Sequence, residues 1–513
     1  MSIKSIAAKL FAQIIHNKTQ KWVQNPIQTQ QKVFQNLIAS ADFTQFGKDH
    51  NFAEIKSFED FAKQVPIRDY EELRPYVDRV VKGEEDILWK GKPIYFAKTS
   101  GTTSGAKYIP LTKESMPFHI EAARNAILNY IHETGKTAFV DGKMIFLQGS
   151  PILEEKNGIK LGRLSGIVAH FVPNYLQKNR MPSWETNCIE DWETKVDAIV
   201  EETFNENMTV ISGIPSWVQM YFEKLEQKGN TRAAGELGEA KSVGEIFKNF
   251  NLFIYGGVNY EPYRAKFENL IGRKVDSIEL FPASEGFFAY QDSQADKGML
   301  LLLNSGIFYE FVKSEEFFTD PEGSGPKRYT IGEVELHINY VLIISTNAGL
   351  WAYNIGDTVQ FTSLKPYRVI VSGRIKHYIS AFGEHVIGKE VECALKEAME
   401  NSNIRINEFT VAPQIAPTSG LPYHEWFIEF DSEASGEPEN LSAFALKIDN
   451  EMRKQNTYYD DLIVGKVLKT LVISKVSKNG FQDYMKSIGK LGGQNKIPRL
   501  SNDRKIADLL KRE

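Results

Sequence analysis

The chain has 513 residues, a formal net charge of −5 and a pI of about 6.1. That balance excludes a nucleic-acid binder built on a strongly basic face. Two cysteines, Cys188 and Cys393, exclude a disulfide scaffold and a CxxC zinc site.

A hydrophobic content of 42% is ample for large cores, and the length allows about three domain-sized units. Residues 1–90 read as helical and charged, with apolar spacing of three to four over Ile27–Ile38 and Phe58–Val77. The N-terminal stretch Ile3–Phe11 is broken by lysines and lacks an apolar h-region or cleavage site. It is expected as an amphipathic helix packed on the body. No apolar run approaches the roughly 20 residues of a membrane span. The reading is a cytoplasmic, soluble monomer without nucleic-acid or membrane partners, its two thiols buried.

After a strand over Pro93–Ala97, every position from Thr99 to Gly105 is a hydroxyl residue or a glycine. Such a run cannot fill a core. It offers backbone N–H groups, small hydroxyls and, at Lys107, a positive charge, which suits polyphosphate oxygens. Composition alone favours a surface turn. The spacing is not that of a Walker A loop: three residues separate Gly101 from Gly105, and Tyr108 follows Lys107.

A helix is predicted from Lys113 to His132, strand-like pieces over Ala138–Gln148, and an irregular excursion over residues 151–185. Beyond it, helices at Glu190–Glu202, Trp217–Lys228, Ser242–Phe250 and Glu261–Leu270 alternate with strands near Thr209, Leu252–Val258 and Val275–Phe281. That alternation predicts an α/β body. From Gly298 to Val371 strands dominate, which predicts a barrel-like segment or a second sheet. After Gly373 the texture is mixed α+β.

Four further clusters carry chemistry. Gly256-Gly257 at a strand end lets a planar ligand approach the backbone, or makes a tight turn. Phe281-Pro282-Ala283-Ser284-Glu285 sets a carboxylate and a hydroxyl just past a strand, fit for Mg²⁺ or for a helix N-cap. Gly356-Asp357 places a carboxylate on a turn between strands. Lys496 sits on a loop between Gly493 and Pro498.

The Thr99–Lys107 run resembles the phosphate-binding loop of the adenylate-forming superfamily, which includes acyl-CoA synthetases and luciferase. The stretch Ala348-Gly349-Leu350-Trp351-Ala352-Tyr353-Asn354-Ile355-Gly356-Asp357 is similar to one branch of it: the auxin-responsive promoter family of acyl-acid amido synthetases, plant enzymes with bacterial relatives. Ala352 and Asn354 stand where that family has arginines. Tyr309-Glu310-Phe311 and Gln494–Arg499 carry the same resemblance, and the motifs keep family order from residue 99 to 499.

The resemblance to a bacterial member implies an ATP- and Mg²⁺-dependent ligase that joins a small carboxylic acid to an amine or amino acid through an acyl adenylate. It implies a large domain, 1–372, and a small mobile domain, 373–513, hinged at Lys376. It implies phosphate contacts at Thr99, Ser100, Gly101, Thr102, Thr103, Gly105 and Lys107. Adenine would lie against Gly256, Gly257 and Phe281, with Ala283 and Ser284 also binding the nucleotide and Mg²⁺ at Glu285. Ribose would meet Asp357, with Arg374 nearby, and Lys496 would serve adenylation. A thiol acceptor and a non-catalytic nucleotide-binding relative are the other readings. Acyl-pocket residues are expected within 115–135, 160–185 and 212–221.

Overall fold

A computed structural model describes residues 2–102, 105–172, 177–235, 241–257, 260–314, 316–317, 325–374, 378–379, 381–384, 386–400, 402–430, 438–488 and 497–512. The organising element is one sheet of eleven strands. Its first half is parallel. In spatial order it runs Arg180–Met181, Lys143–Phe146, Met208–Ser212, Leu252–Gly256 and Asp276–Ala283. Helices Trp192–Thr203, Pro215–Gly235 and Glu261–Ile271 precede or connect its strands. Apolar residues occupy both faces of a strand such as Leu252–Gly256, as a doubly covered parallel sheet requires.

The predicted β-rich segment is the antiparallel half of this same sheet. Strand Asp276–Ala283 turns back through a hairpin into Gly286–Tyr290, pairing Ala283 with Gly286. The sheet then continues through Met299–Leu301, Tyr367–Arg374, Tyr353–Leu364, Asn339–Thr346 and Ile307–Lys313. A two-residue turn at Ser284-Glu285 therefore switches the sheet from parallel to antiparallel without leaving it.

The excursion at 151–185 is more ordered than its composition suggests. Strands Glu154–Lys156 and Ile159–Gly162 join the hairpin Tyr95–Thr102 and Gly105–Leu111 in a four-stranded sheet. Helix Leu164–Ala169 follows. The helix expected over Ser242–Phe250 is one turn, Val243–Ile246, closed by a Ser242–Glu245 capping box. Cys188 and Cys393 are free and only half-buried, so burial of both thiols is corrected.

The N-terminal helix Ile3–Val23 starts at Ser2, whose hydroxyl accepts from the Ser5 N–H at 3.1 Å. It buries Ala12 and Ile15 with Ala122, Ala126 and Tyr130 of helix Met116–Thr134. No described helix is long and apolar enough to cross a membrane. Toward the C-terminus, strands Ile406–Gln414, Tyr423–Phe430 and Val472–Lys475 form a separate three-stranded sheet under helices Gly388–Met399 and Leu441–Gln455. Val411 and Trp426 of this sheet and Ile448 of the second helix share one apolar cluster with Ile145 and Phe253 of the parallel strands and Val196 of helix Trp192–Thr203.

Candidate active site

A cavity of about 2550 Å³ opens between the ends of the parallel strands, the hairpin of 95–111 and the C-terminal segment. Thr99, Lys107, Gly256, Gly257, Phe281, Ala283, Ser284, Glu285 and Asp357 all border it. Residues from four separated motifs thus meet in one space.

Each is positioned by local rules. Gly256 pairs with Leu280 on the next strand, and a Cβ there would meet the Leu280 carbonyl oxygen at 2.5 Å. Only glycine fits that approach. Gly257 has φ +83, and its missing Cβ would find nothing nearer than Ile214 at 4.0 Å. The backbone is therefore bare toward the cavity. Phe281 is buried edge-on against Phe288, with centroids 5.0 Å apart. Ser284 and Glu285 occupy the hairpin turn, so the helix N-cap reading of this motif is corrected.

Asp357 is 7% exposed and stands directly opposite Arg374 in the antiparallel register. Gly356, at φ +87, donates its N–H to the Asn354 side-chain oxygen at 2.8 Å. Gly356-Asp357 lies inside strand Tyr353–Leu364, where the register with Asn339–Thr346 shifts, so the turn expected there is corrected to a bulge, and Asn354 braces it. Ala352 is fully buried at φ +44, its N–H donating to Ser345 Oγ at 2.9 Å and its carbonyl accepting from the Arg68 N–H at 3.1 Å. A small side chain suits that site. Leu350 and Trp351 are fully buried too, and the Trp351 indole N–H donates to the Leu88 carbonyl at 2.9 Å. Most of this long motif is core; Ile355 and Asp357 reach the site.

The Thr99–Lys107 run is a hairpin. Thr99 pairs with Lys107 and Thr102 with Gly105 across a bulge. Ser100, Gly101 and Thr102 end the first strand and Gly105 begins the second, while Thr103 lies outside the described residues. The Lys107 ammonium lies 5.5 Å from the centre of the Tyr70 ring. Lys376 and Lys496 also lie outside the described residues. The chain after Lys496 is stitched to strand Ile406–Gln414: Thr410 Oγ1 donates to the Pro498 carbonyl at 2.7 Å, Val411 to that of Arg499 at 3.0 Å, and Ser501 back to Val411 at 2.9 Å. Leu500 to Asp503 border the cavity.

Other cavity residues escaped the motif reading. Tyr458 of helix Thr457–Val464 donates to the Lys98 carbonyl at 3.0 Å and lies 5.1 Å beneath the Arg163 guanidinium. Arg163 pairs with Asp461 of the same helix. Burial raises the Asp461 carboxyl pKa against the opposing pull of Arg163. His119 is buried, its Nδ1 without a partner among the described residues, and burial drives its pKa to about 4. The segments expected to shape an acyl pocket contribute His119, Leu164, Val168, Gly213, Ile214 and Trp217. No sequence rule marks these single residues.

A model of the GH3 family N-terminal domain matches residues 15–185, one of its central domain residues 300–374, and one of its C-terminal domain residues 389–505. Together they take in well over half of the chain. The chain belongs to the GH3 family. The chain is 24% identical over 442 residues to a jasmonoyl–L-amino acid synthetase, JAR4, of Nicotiana attenuata, covering 74% of each protein. An 80-residue stretch is 40% identical to an indole-3-acetic acid-amido synthetase, GH3.15, of Arabidopsis thaliana. Among solved structures, the GH3 fold recurs in an AtGH3.15 acyl acid amido synthetase in complex with 2,4-DB, at TM-score 0.59 and 17% identity over 98% of each chain. It recurs in a 2-hydroxyisobutyryl-CoA ligase at TM-score 0.56 and 13% identity over 95% of this chain and 91% of that one.

Proposed function

We propose that this GH3-family protein is an ATP-dependent acyl-acid amido synthetase. The observation that carries the reading is the meeting of Thr99, Lys107, Gly257, Glu285 and Asp357 around one cavity in a chain of this family. The cavity exceeds the roughly 1000 Å³ upper range of an ordinary small-molecule pocket, as room for a nucleotide, an acid and an amine requires.

In the first step a carboxylate oxygen attacks the α-phosphorus of ATP and pyrophosphate leaves. In the second an amine nitrogen attacks the acyl carbon, AMP leaves, and the nitrogen loses a proton. Adenylation supplies the leaving group, so no covalent enzyme nucleophile is needed. Thr99, Ser100, Gly101, Thr102, Thr103, Gly105 and Lys107 hold phosphates; Gly256, Gly257 and Phe281 frame adenine, with Ala283 and Ser284 also binding the nucleotide. Asp357 accepts hydrogen bonds from ribose, with Arg374 beside it in register. Lys496 meets the negative charge that accumulates at phosphorus.

No three His, Cys, Asp or Glu residues stand together among the described residues. Glu285 would share Mg²⁺ with phosphate oxygens, which is how that ion is commonly held. It would neutralise phosphate charge there. The same proposal includes a mobile domain from residue 373, hinged at Lys376. It includes an amino acid as acceptor, a cytoplasmic monomer without nucleic-acid or membrane partners, and bacterial membership of the family.

ATP–pyrophosphate exchange with a panel of carboxylic acids tests the reading. Exchange with one acid class, followed by AMP release and amide formation with an amino acid, is expected. Consumption of the adenylate by coenzyme A alone would make the chain a thioester ligase. Absence of exchange with every acid would end the proposal.

A further inference from the structure

Among the described residues, two cations in the cavity wall have no carboxylate to face. Lys195, on helix Trp192–Thr203, is 1% exposed. Its ammonium donates to the Gln148 carbonyl at 2.9 Å and the Asn187 carbonyl at 2.7 Å. Arg180 is half-buried and donates to the Ala169 carbonyl at 3.1 Å. With the Gln148 amide oriented to satisfy both its atoms, its oxygen accepts from Arg180 at 2.9 Å and its nitrogen donates to the Ser165 carbonyl at 3.1 Å. Lys195 and Arg180 thus bracket one residue, one through its main chain and the other through its side chain.

Neutral carbonyls leave both charges uncompensated. Lys195 feels burial first, then the Cys188 thiol and the like charge of Arg163; Arg180 feels burial alone. The acids on the same wall are engaged or solvated. Asp461 pairs with Arg163, Asp191 caps its own helix through the Thr194 N–H at 2.8 Å, and Glu190 is exposed. Buried charges are ordinarily paired. Two unpaired cations lining a cavity call for an anion carried by the ligand.

The sheet order says which anion. Lys143–Phe146, which leads into Gln148, lies two strands from Leu252–Gly256, and Arg180–Met181 lies three. At about 4.8 Å per strand that is roughly 10–14 Å from the glycine pair. The reacting carboxylate must stay beside the nucleotide. We propose that Lys195 and Arg180 form the subsite for the α-carboxylate of an amino-acid acceptor, an inference that rests on the amide-forming reading above.

The test uses the full chain, an acid that supports exchange, and L-amino acids paired with their decarboxylated amines. In the unmodified protein the amine lacking the carboxylate should show a KM higher on the order of 10- to 100-fold, the range for a charge-assisted hydrogen bond. Lys195→Met should raise the KM for the amino acid by a similar factor, leave kcat and pyrophosphate exchange in place, and erase the preference. Lys195→Arg should restore part of it. Equal use of both acceptors by the unmodified protein would overturn the proposal without any variant. So would a Lys195→Met protein that keeps the preference. If the variant instead raises the KM for the acid in exchange, the anion belongs to the acyl substrate and the assignment is wrong. Absence of exchange in the unmodified chain removes the underlying reading as well.

Discussion

The two walls of the cavity are built on different plans. On one side Gly256, Gly257, Phe281, Ser284 and Glu285 sit at or near strand ends or a strand turn, and Asp357 at a bulge within a strand, all of one sheet. On the other, Gln148, Arg163, Arg180, Lys195 and Tyr458 come from five segments spread over more than 300 residues. The first wall is set by local constraint: a strand neighbour at 2.5 Å, a positive φ, a two-residue turn. The second is set by tertiary packing, through single hydrogen bonds and ion pairs. A wall of the first kind tolerates little change at each position. A wall of the second kind can change one residue at a time, which suits a surface that selects substrates.

The largest expected effect concerns neither wall. Lys496 precedes the segment Ile497–Ser501 that is tied to strand Ile406–Gln414 and runs into the cavity border. Lys496→Ala should lower pyrophosphate exchange on the order of 10²–10³-fold, the range for an electrostatic transition-state contact. ATP binding by calorimetry should persist. Unchanged exchange would remove Lys496 from adenylation.

The strand-end wall is tested next. Asp357→Ala should weaken ATP binding by about 1–3 kcal/mol, the cost of hydrogen bonds to a charged acceptor. Glu285→Ala should raise the Mg²⁺ concentration needed for half-maximal exchange. Unaltered ATP affinity at Asp357 would refute the ribose contact. Gly256→Ala should destabilise the protein by about 1–3 kcal/mol, because its Cβ would meet a strand carbonyl that cannot swing aside. A thermal midpoint equal to that of the unmodified chain would show that the strands separate more easily than the register implies.

The contrast also explains what could be read from the sequence. The glycine pair and Ser-Glu at strand ends are legible because the constraint is local, whereas Gly356-Asp357, read as a turn, is a bulge inside a strand. The α/β alternation and most strands were legible for the same reason. The sharing of one sheet by the parallel and antiparallel halves was not, since it depends on a hairpin at Ser284-Glu285 that also reads as a helix start. The excursion at 151–185 looked irregular because its short strands, Glu154–Lys156 and Ile159–Gly162, complete a sheet whose other half lies fifty residues earlier. Trp351 and Leu350 carry a family motif yet fill the core. Lys195 has no marker at all: a lysine at helical spacing is ordinarily a solvated one, and only tertiary packing makes it 1% exposed.

The smallest expected effect is the most informative about motion. Tyr458 joins the C-terminal helix Thr457–Val464 to the Lys98 carbonyl, one residue before Thr99 in the hairpin of 95–111. The Arg163 guanidinium lies over the same ring and pairs with Asp461 one turn on. These contacts tie the C-terminal segment to the element that would hold pyrophosphate. Tyr458→Phe keeps the ring beneath Arg163 and removes only the hydroxyl, at a cost of about 0.5–1.5 kcal/mol. If the C-terminal segment must move between half-reactions, that loss falls on one arrangement and not the other. Pyrophosphate exchange and amide formation from a preformed adenylate should then change unequally, by roughly 2- to 10-fold. Lys376→Pro, which fixes φ near −65° at the proposed hinge, should split the two rates as well. A Tyr458→Phe protein in which both rates fall together would make the contact a structural tie alone, and would leave the hinge to carry the case for rotation unaided.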